Sequence, residues 1–254
     1  MKIKQGFSKA GVIAAILGLI GLIIITIVVV TGNDNITDYS KYDFFSVIAP
    51  DKYNGQIGDN VKGDANAPVL IFEYADYQCP GCASMNSRIN DIIKQNEGKV
   101  AVVYRNYLLN YHKNGTAAAS AALAAGLQGY WKEYANKLFS EQAEWEYSTG
   151  SERTALFNKY FTEVSNGEGD LDKFNQDIAS ENVSKKISFD MGIGKRIGIA
   201  GTPAFYIEGQ FIDWNNEKGG SLTIDDETIE WDHTLNGTEF AKLISDIVKI
   251  KTSN

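Results

Sequence analysis

Val69-Leu70-Ile71-Phe72-Glu73-Tyr74-Ala75-Asp76-Tyr77-Gln78-Cys79-Pro80-Gly81-Cys82 joins a continuous apolar run to a pair of cysteines at its far end. A run of strand length without alternation predicts a central strand buried on both faces. Beyond the cysteines, Met85, Ile89, Ile92 and Ile93 recur at helical spacing over residues 83–95, and Gly98 supplies a helix stop. Residues 100–109 read as a second strand. The local order is β–α–β, with both cysteines at the strand-to-helix turn.

Working outward, the pattern turns helical. Residues 116–139 are alanine-rich, with Leu127, Trp131, Tyr134 and Leu138 on one stripe. Residues 152–164 and 171–179 are amphipathic, and 183–197 is a further helix weakened by Gly192 and Gly194. Strand character returns at 204–207 and 211–212 around Glu208-Gly209-Gln210, which predicts a hairpin. Residues 213–236 are polar and read as a loop or insertion. A last helix carries Phe240, Leu243, Ile244, Ile247 and Val248 on one face. The fold class is α/β, a small sheet domain (55–113 and 196–254) with an all-helical domain (114–195) inserted in it.

Ahead of that domain, Gly11 to Val30 is apolar apart from Thr26, long enough as a helix to span a bilayer core of about 30 Å. Lys2, Lys4 and Lys9 precede it, while Asp34 and Asp38 follow. This predicts a cytoplasmic tail (1–10), one transmembrane anchor contacting lipid (11–30), an extracytoplasmic spacer (31–54) whose Phe44-Phe45-Ser46-Val47-Ile48 can dock on the domain, and a catalytic domain outside the cell membrane. A cleaved signal peptide is the competing reading, against which stand the length of the run and the lack of a small-residue cleavage site. The formal net charge of −8 argues against nucleic acid as a partner.

The sequence holds two cysteines, and they are three apart. A thiolate at a helix N-terminus faces free N–H groups and the positive end of the helix dipole, so Cys79 is the expected attacking thiol. Pro80 suits the first helical turn, where a missing N–H costs nothing. Cys82, one turn on, is placed to resolve a mixed disulfide. At the level of spacing three other uses stay open: half a zinc site, for which only His112 and His233 are at hand; a structural bridge, which would close almost no loop; and two unrelated thiols. Far along the chain, Gly201-Thr202-Pro203-Ala204-Phe205 puts a proline at the opening of a strand, a candidate for a cis bond.

Together these stretches resemble the DsbA-like family of thioredoxin-fold thiol–disulfide oxidoreductases, especially its membrane-anchored bacterial branch. The resemblance runs through Ala67-Pro68-Val69, Glu73 to Cys82, Tyr104-Arg105-Asn106-Tyr107, His112, Gln128-Gly129-Tyr130-Trp131, Leu138-Phe139, Gly198 to Phe205 and Gly209. It departs at Gly81, where many members carry His or Ser, and at Leu108-Leu109, where Pro-Leu is common.

The resemblance implies that Cys79 and Cys82 form the redox disulfide, with Pro80 and Gly81 as the tuning dipeptide. Thr202 and Pro203 then form the cis-proline loop that faces the cysteines and pairs with an extended substrate. Glu73 matches an acidic position below the site, where a carboxylate can move protons to or from the second thiol. His112 is expected to be structural, His233 a surface residue, and Asp76 either a cap of the turn or a charge acting on Cys79. No cofactor or metal is implied. The expected function is an oxidase that introduces disulfides into reduced or unfolded exported proteins and is reoxidised by a DsbB-like or vitamin K epoxide reductase-like membrane partner. A reductase or isomerase, a chaperone or adaptor, and a soft-metal thiol protein are the alternatives.

Overall fold

Seven residues, Val69–Ala75, form the central strand β2 of a five-stranded sheet. Their run of apolar side chains is buried on both faces. Val69 and Ile71 point into one core, and Phe72 and Tyr74 into another. The strand order is β1-β3-β2-β4-β5, with β1 at Asn60–Lys62, β3 at Val100–Asn106, β4 at Ala204–Ile207 and β5 at Gln210–Ile212. β2 and β3 are parallel, from Val69 opposite Val100 to Ala75 opposite Asn106, and the other pairs are antiparallel. The structure is a computed structural model. It describes residues 37–253, and those from Tyr39 onward form one unit. The anchor expected at 11–30 lies outside the described residues. Among the described residues no helix is long and apolar enough to cross a membrane.

The parallel connection from β2 to β3 runs through α1, Pro80–Gln95. Between β3 and β4 lie α2 (Gly115–Gly126), α3 (Trp131–Ser140), the single turn α4 (Gln142–Trp145), α5 (Gly150–Val164), α6 (Leu171–Ile178) and α7 (Glu181–Arg196). Their apolar faces form a core that is continuous with Tyr77, Cys79, Cys82 and Tyr104, so the helices and the sheet share one interior. α8, Gly237–Thr252, covers the opposite side with Phe240, Leu243, Ile244, Ile247 and Val248 buried. A capping box between Asn236 and Glu239 starts it.

Three expectations are corrected. The alanine-rich stretch is two helices, because Gly129 turns the chain at φ 87°. Leu127, which a continuous helix would bury, is exposed. The second strand ends at Asn106, level with the end of β2, and the amide of Leu109 goes to the Asp76 carboxylate instead of a ladder. Residues 213–236 are not simply a loop. Gly220–Ile224 (β6) and Glu227–Trp231 (β7) form a hairpin through Asp225 and Asp226, both at positive φ. Leu222, Ile224 and Trp231 of that hairpin complete the core beneath α8. The aromatic stretch of the spacer docks on the domain, in line with its sequence. Tyr39, Tyr42, Phe44, Phe45 and Val47 pack against the core on that side of the sheet, and Arg105 donates to the carbonyl oxygens of Phe44 and Ser46. α7 continues through Gly192 and Gly194, where the Tyr39 hydroxyl and the Tyr107 ring lie in the places that side chains would take.

Candidate active site

Cys79 ends the loop after β2 and is the N-cap of α1, with φ −76° and ψ 121°, so its side chain lies over the first helical turn. Pro80 follows at the position where a helix needs no amide donor. The loop is held from below by Asp76, whose side chain is fully buried. Its Oδ1 accepts from the amide of Gln78 at 2.9 Å, and its Oδ2 accepts from the amide of Leu109 and bonds His112 Nδ1, each at 2.9 Å. Asp76 therefore caps the turn, and His112 serves it structurally. His233 lies elsewhere, half exposed between Asp232 and Glu239.

Both thiols are free, and they differ in access. Cys79 is 7% exposed and Cys82 fully buried. The Cys79 sulfur lies 3.3 Å from the carbonyl oxygen of Thr202, and the Thr202–Pro203 bond is cis. Four of the residues predicted for the site are thus brought together across two distant stretches of chain. A fifth, Gly81, explains how closely. A Cβ there would fall 3.2 Å from Pro203 Cδ and 3.6 Å from the Cys79 sulfur, so glycine lets the proline loop approach the thiol.

The electrostatics separate the two sulfurs. The Cys79 thiol is lowered to about 5, first by the hydrogen bond from the Cys82 thiol. Burial opposes this, and smaller contributions come from the Thr202 hydroxyl and the amides of Cys82 and Gly81 at the helix start. The Thr202 hydroxyl is buried and meets no hydrogen-bond partner among the described residues; the Thr202 group nearest the sulfur is its carbonyl oxygen. Cys82 is pushed well above the ordinary thiol range, first by burial and then by Cys79. Glu73 sits on the same face of β2 as Ile71 and Ala75. Burial raises its carboxyl to about 7, with Lys62 pulling it back and Cys79 adding to the rise.

Sequence reading did not single out Lys62 or Gln142. Lys62, from edge strand β1, is 3% exposed, and its Nζ donates to the side-chain oxygens of Asn86 at 2.6 Å, Asn136 at 2.9 Å and Asn90 at 3.3 Å. Three neutral acceptors hold the ammonium, and burial lowers it to about 8 while the Glu73 charge works the other way. Gln142 Nε2 donates to the carbonyls of Tyr77 at 2.7 Å and Cys79 at 3.2 Å, tying the helical block to the backbone that carries the thiol. Neither was detectable from local pattern. A lysine in a three-residue edge strand and a glutamine in a one-turn helix gain meaning only from what the tertiary fold sets beside them.

A family model described as thioredoxin matches residues 56–236. The crystal structure of α-DsbA1 from Wolbachia pipientis is similar at 25% identity with a TM-score of 0.56, over 77% of this chain and 93% of that one. That of oxidised BdbD from Bacillus subtilis is similar at 19% identity with a TM-score of 0.58, over 80% and 99%. Among curated sequences, the Na(+)/H(+) antiporter NhaA 1 of Mycolicibacterium vanbaalenii is 29% identical over 154 residues, which are 59% of this chain and 23% of the antiporter. The chain spans about a quarter of the length of the curated relatives it matches.

Proposed function

The chain belongs to the thioredoxin family and has the fold of its DsbA-like thiol–disulfide oxidoreductases, and from that premise we propose that it is an oxidase, donating a Cys79–Cys82 disulfide to reduced exported proteins. The observation that carries this reading is the inequality of the two sulfurs, one keeping a small exposed edge and held near 5, the other fully buried and pushed up. A thiolate stabilised in the reduced protein makes reduction favourable, which makes the disulfide a strong donor.

In the oxidised protein a substrate thiolate attacks the Cys79 sulfur. The Cys79–Cys82 bond breaks, a mixed disulfide forms, and the electron pair leaves on Cys82. Cys82 is fully buried and must take a proton. Glu73, on the strand beneath and held near 7, is the proposed proton donor. The substrate's second thiolate then attacks its first sulfur and releases the Cys79 thiolate. The substrate loses two electrons and the protein gains them. Thr202 and Pro203 are the proposed substrate-pairing loop. Reoxidation falls to a DsbB-like or vitamin K epoxide reductase-like membrane partner. The basic residues before the apolar run at 11–30 and the acidic ones after it support an anchored, extracytoplasmic placement.

The test is the equilibrium reduction potential of the full chain in glutathione buffers. A value near about −120 mV supports disulfide donation, whereas one near about −270 mV overturns it and leaves the reductase reading.

A further inference from the structure

A cavity of about 350 Å³ opens beside the cis-proline loop. Thr202 and Pro203 form one edge, and the carbonyl of that same Thr202 lies 3.3 Å from the Cys79 sulfur, so the cavity neighbours the thiol. Its other walls come from Ile199, Tyr206, Phe211 and Trp214. The indole of Trp214 is fixed, because its Nε1 donates to the Pro203 carbonyl at 3.2 Å and its ring meets the edge of Phe205. Phe211, stacked obliquely on Tyr206 with ring centroids 5.4 Å apart, is 51% exposed, rare here for a large apolar side chain.

One carboxylate lines this aromatic-walled space, that of Asp213, and no lysine or arginine does. Asp213 forms no ion pair among the described residues. An aromatic wall ending in an unpaired carboxylate suits a side chain with an apolar stem and a cationic head. The stem lies on the rings and the ammonium or guanidinium reaches the acid. The net charge of −8 favours basic partners in the same sense. An extended peptide advances about 3.3 Å per residue. A side chain one or two positions from a cysteine bonded to Cys79 therefore reaches this cavity.

We infer that the cavity bounded by Phe211, Asp213 and Trp214 is a specificity subsite for a lysine or arginine adjacent to the substrate cysteine. This rests on the oxidoreductase reading above and adds a substrate class to it. The residues that build it follow the cis-proline strand and lead into the β6–β7 hairpin, so the polar insertion becomes part of substrate selection.

The test uses the full chain in its oxidised form and short dithiol peptides with Lys, Ala or Glu at each of the two positions flanking the attacking cysteine. The rate of disulfide transfer is followed by acid quench. A neighbouring lysine also acidifies the peptide's own thiol, so the informative quantity is how the Lys-to-Glu rate ratio changes between protein variants. Asp213→Asn is expected to lower that ratio about three- to five-fold, the scale of one partly exposed ion pair. Phe211→Ala is expected to slow the Lys peptide more than the Ala peptide. Asp226→Asn, which removes the same charge at the hairpin turn, is expected to leave the ratio in place. An unchanged ratio in Asp213→Asn, or an equal fall in Asp226→Asn, overturns the subsite while leaving the oxidoreductase reading intact. A chain that no peptide reduces defeats both.

Discussion

Cys79 and Cys82 share a helical turn yet experience opposite environments, and this has a measurable signature. Between a Cys79 thiol near 5 and a Cys82 thiol far above it, the reduced protein carries one proton fewer than a dithiol. The reduction potential is therefore expected to fall by about 30 mV per pH unit across the neutral range and by about 60 mV per unit below pH 5. A titration without that break would refute the assignment of Cys79 as the stabilised thiolate. Glu73 gives a second prediction. Its folded value near 7 exceeds its unfolded value, so between about pH 4.5 and 7 the native state holds a proton that the unfolded chain has lost. Stability falls across that window and stays lower above it, by on the order of 3 kcal/mol at most. Glu73→Gln is expected to be more stable than the parent at pH 8 and nearly equal to it at pH 4, as read by urea unfolding. In the same variant, release of Cys82 should lose its dependence on pH near 7.

At the scale of elements, the start of α2 is pressed against the loop that carries Cys79. Gly115 is its first residue, and a Cβ there would lie 2.8 Å from Asp76 Oδ1 and 3.0 Å from Oδ2. Asp76 cannot retreat without giving up Gln78, Leu109 and His112. Gly115→Ala, ordinarily favourable in a helix, is therefore expected to cost about 1–3 kcal/mol and to slow exchange at Cys79. Unfolding melts and peptide oxidation rates would check both. The sequence made the elements around the cysteines legible because β2 and α1 carry unmixed periodicities, and the final helix reads as plainly. It hid the β6–β7 hairpin because Asp225-Asp226 is not one of the glycine-bearing turns that announce a hairpin, although Leu222 and Ile224 alternate as a strand should. It hid the break before α3 because alanine and leucine continue a helix by propensity, and only the left-handed Gly129 ends it. Of the site, the cysteines, the proline loop and Glu73 were readable, whereas Lys62 and Gln142 were not.

For the whole molecule, the buried charges bind segments far apart in sequence. Arg105 Nη2 lies 2.7 Å from Asp59 Oδ2, and Lys186 Nζ lies 2.8 Å from both Asp59 Oδ1 and Asp190 Oδ1, all with fully buried side chains. The guanidinium also takes the carbonyls of Phe44 and Ser46, at 2.6 and 2.9 Å, and so fastens the N-terminal segment to β3. A planar fork with several donors meets all of these acceptors, and an ammonium does not. Arg105→Ala leaves Asp59 with one cation and the two carbonyls without their donor. The expected loss is about 3–5 kcal/mol. Arg105→Lys should recover only part of it, and proteolysis should then reach residues 39–48 first. Full recovery in Arg105→Lys would mean that charge alone, not the fork, holds the segment.

None of this cohesion uses a disulfide. The sequence contains two cysteines, both at the reactive turn, and the interior is closed by aromatic packing, aliphatic helices and paired charges. The chain can therefore reach its native shape before any oxidant has acted on it. It has no bridge to form in the wrong order and no third thiol with which to mispair. On the oxidase reading proposed above, such a catalyst would not wait on an earlier copy of itself to mature, because its own fold calls for no disulfide.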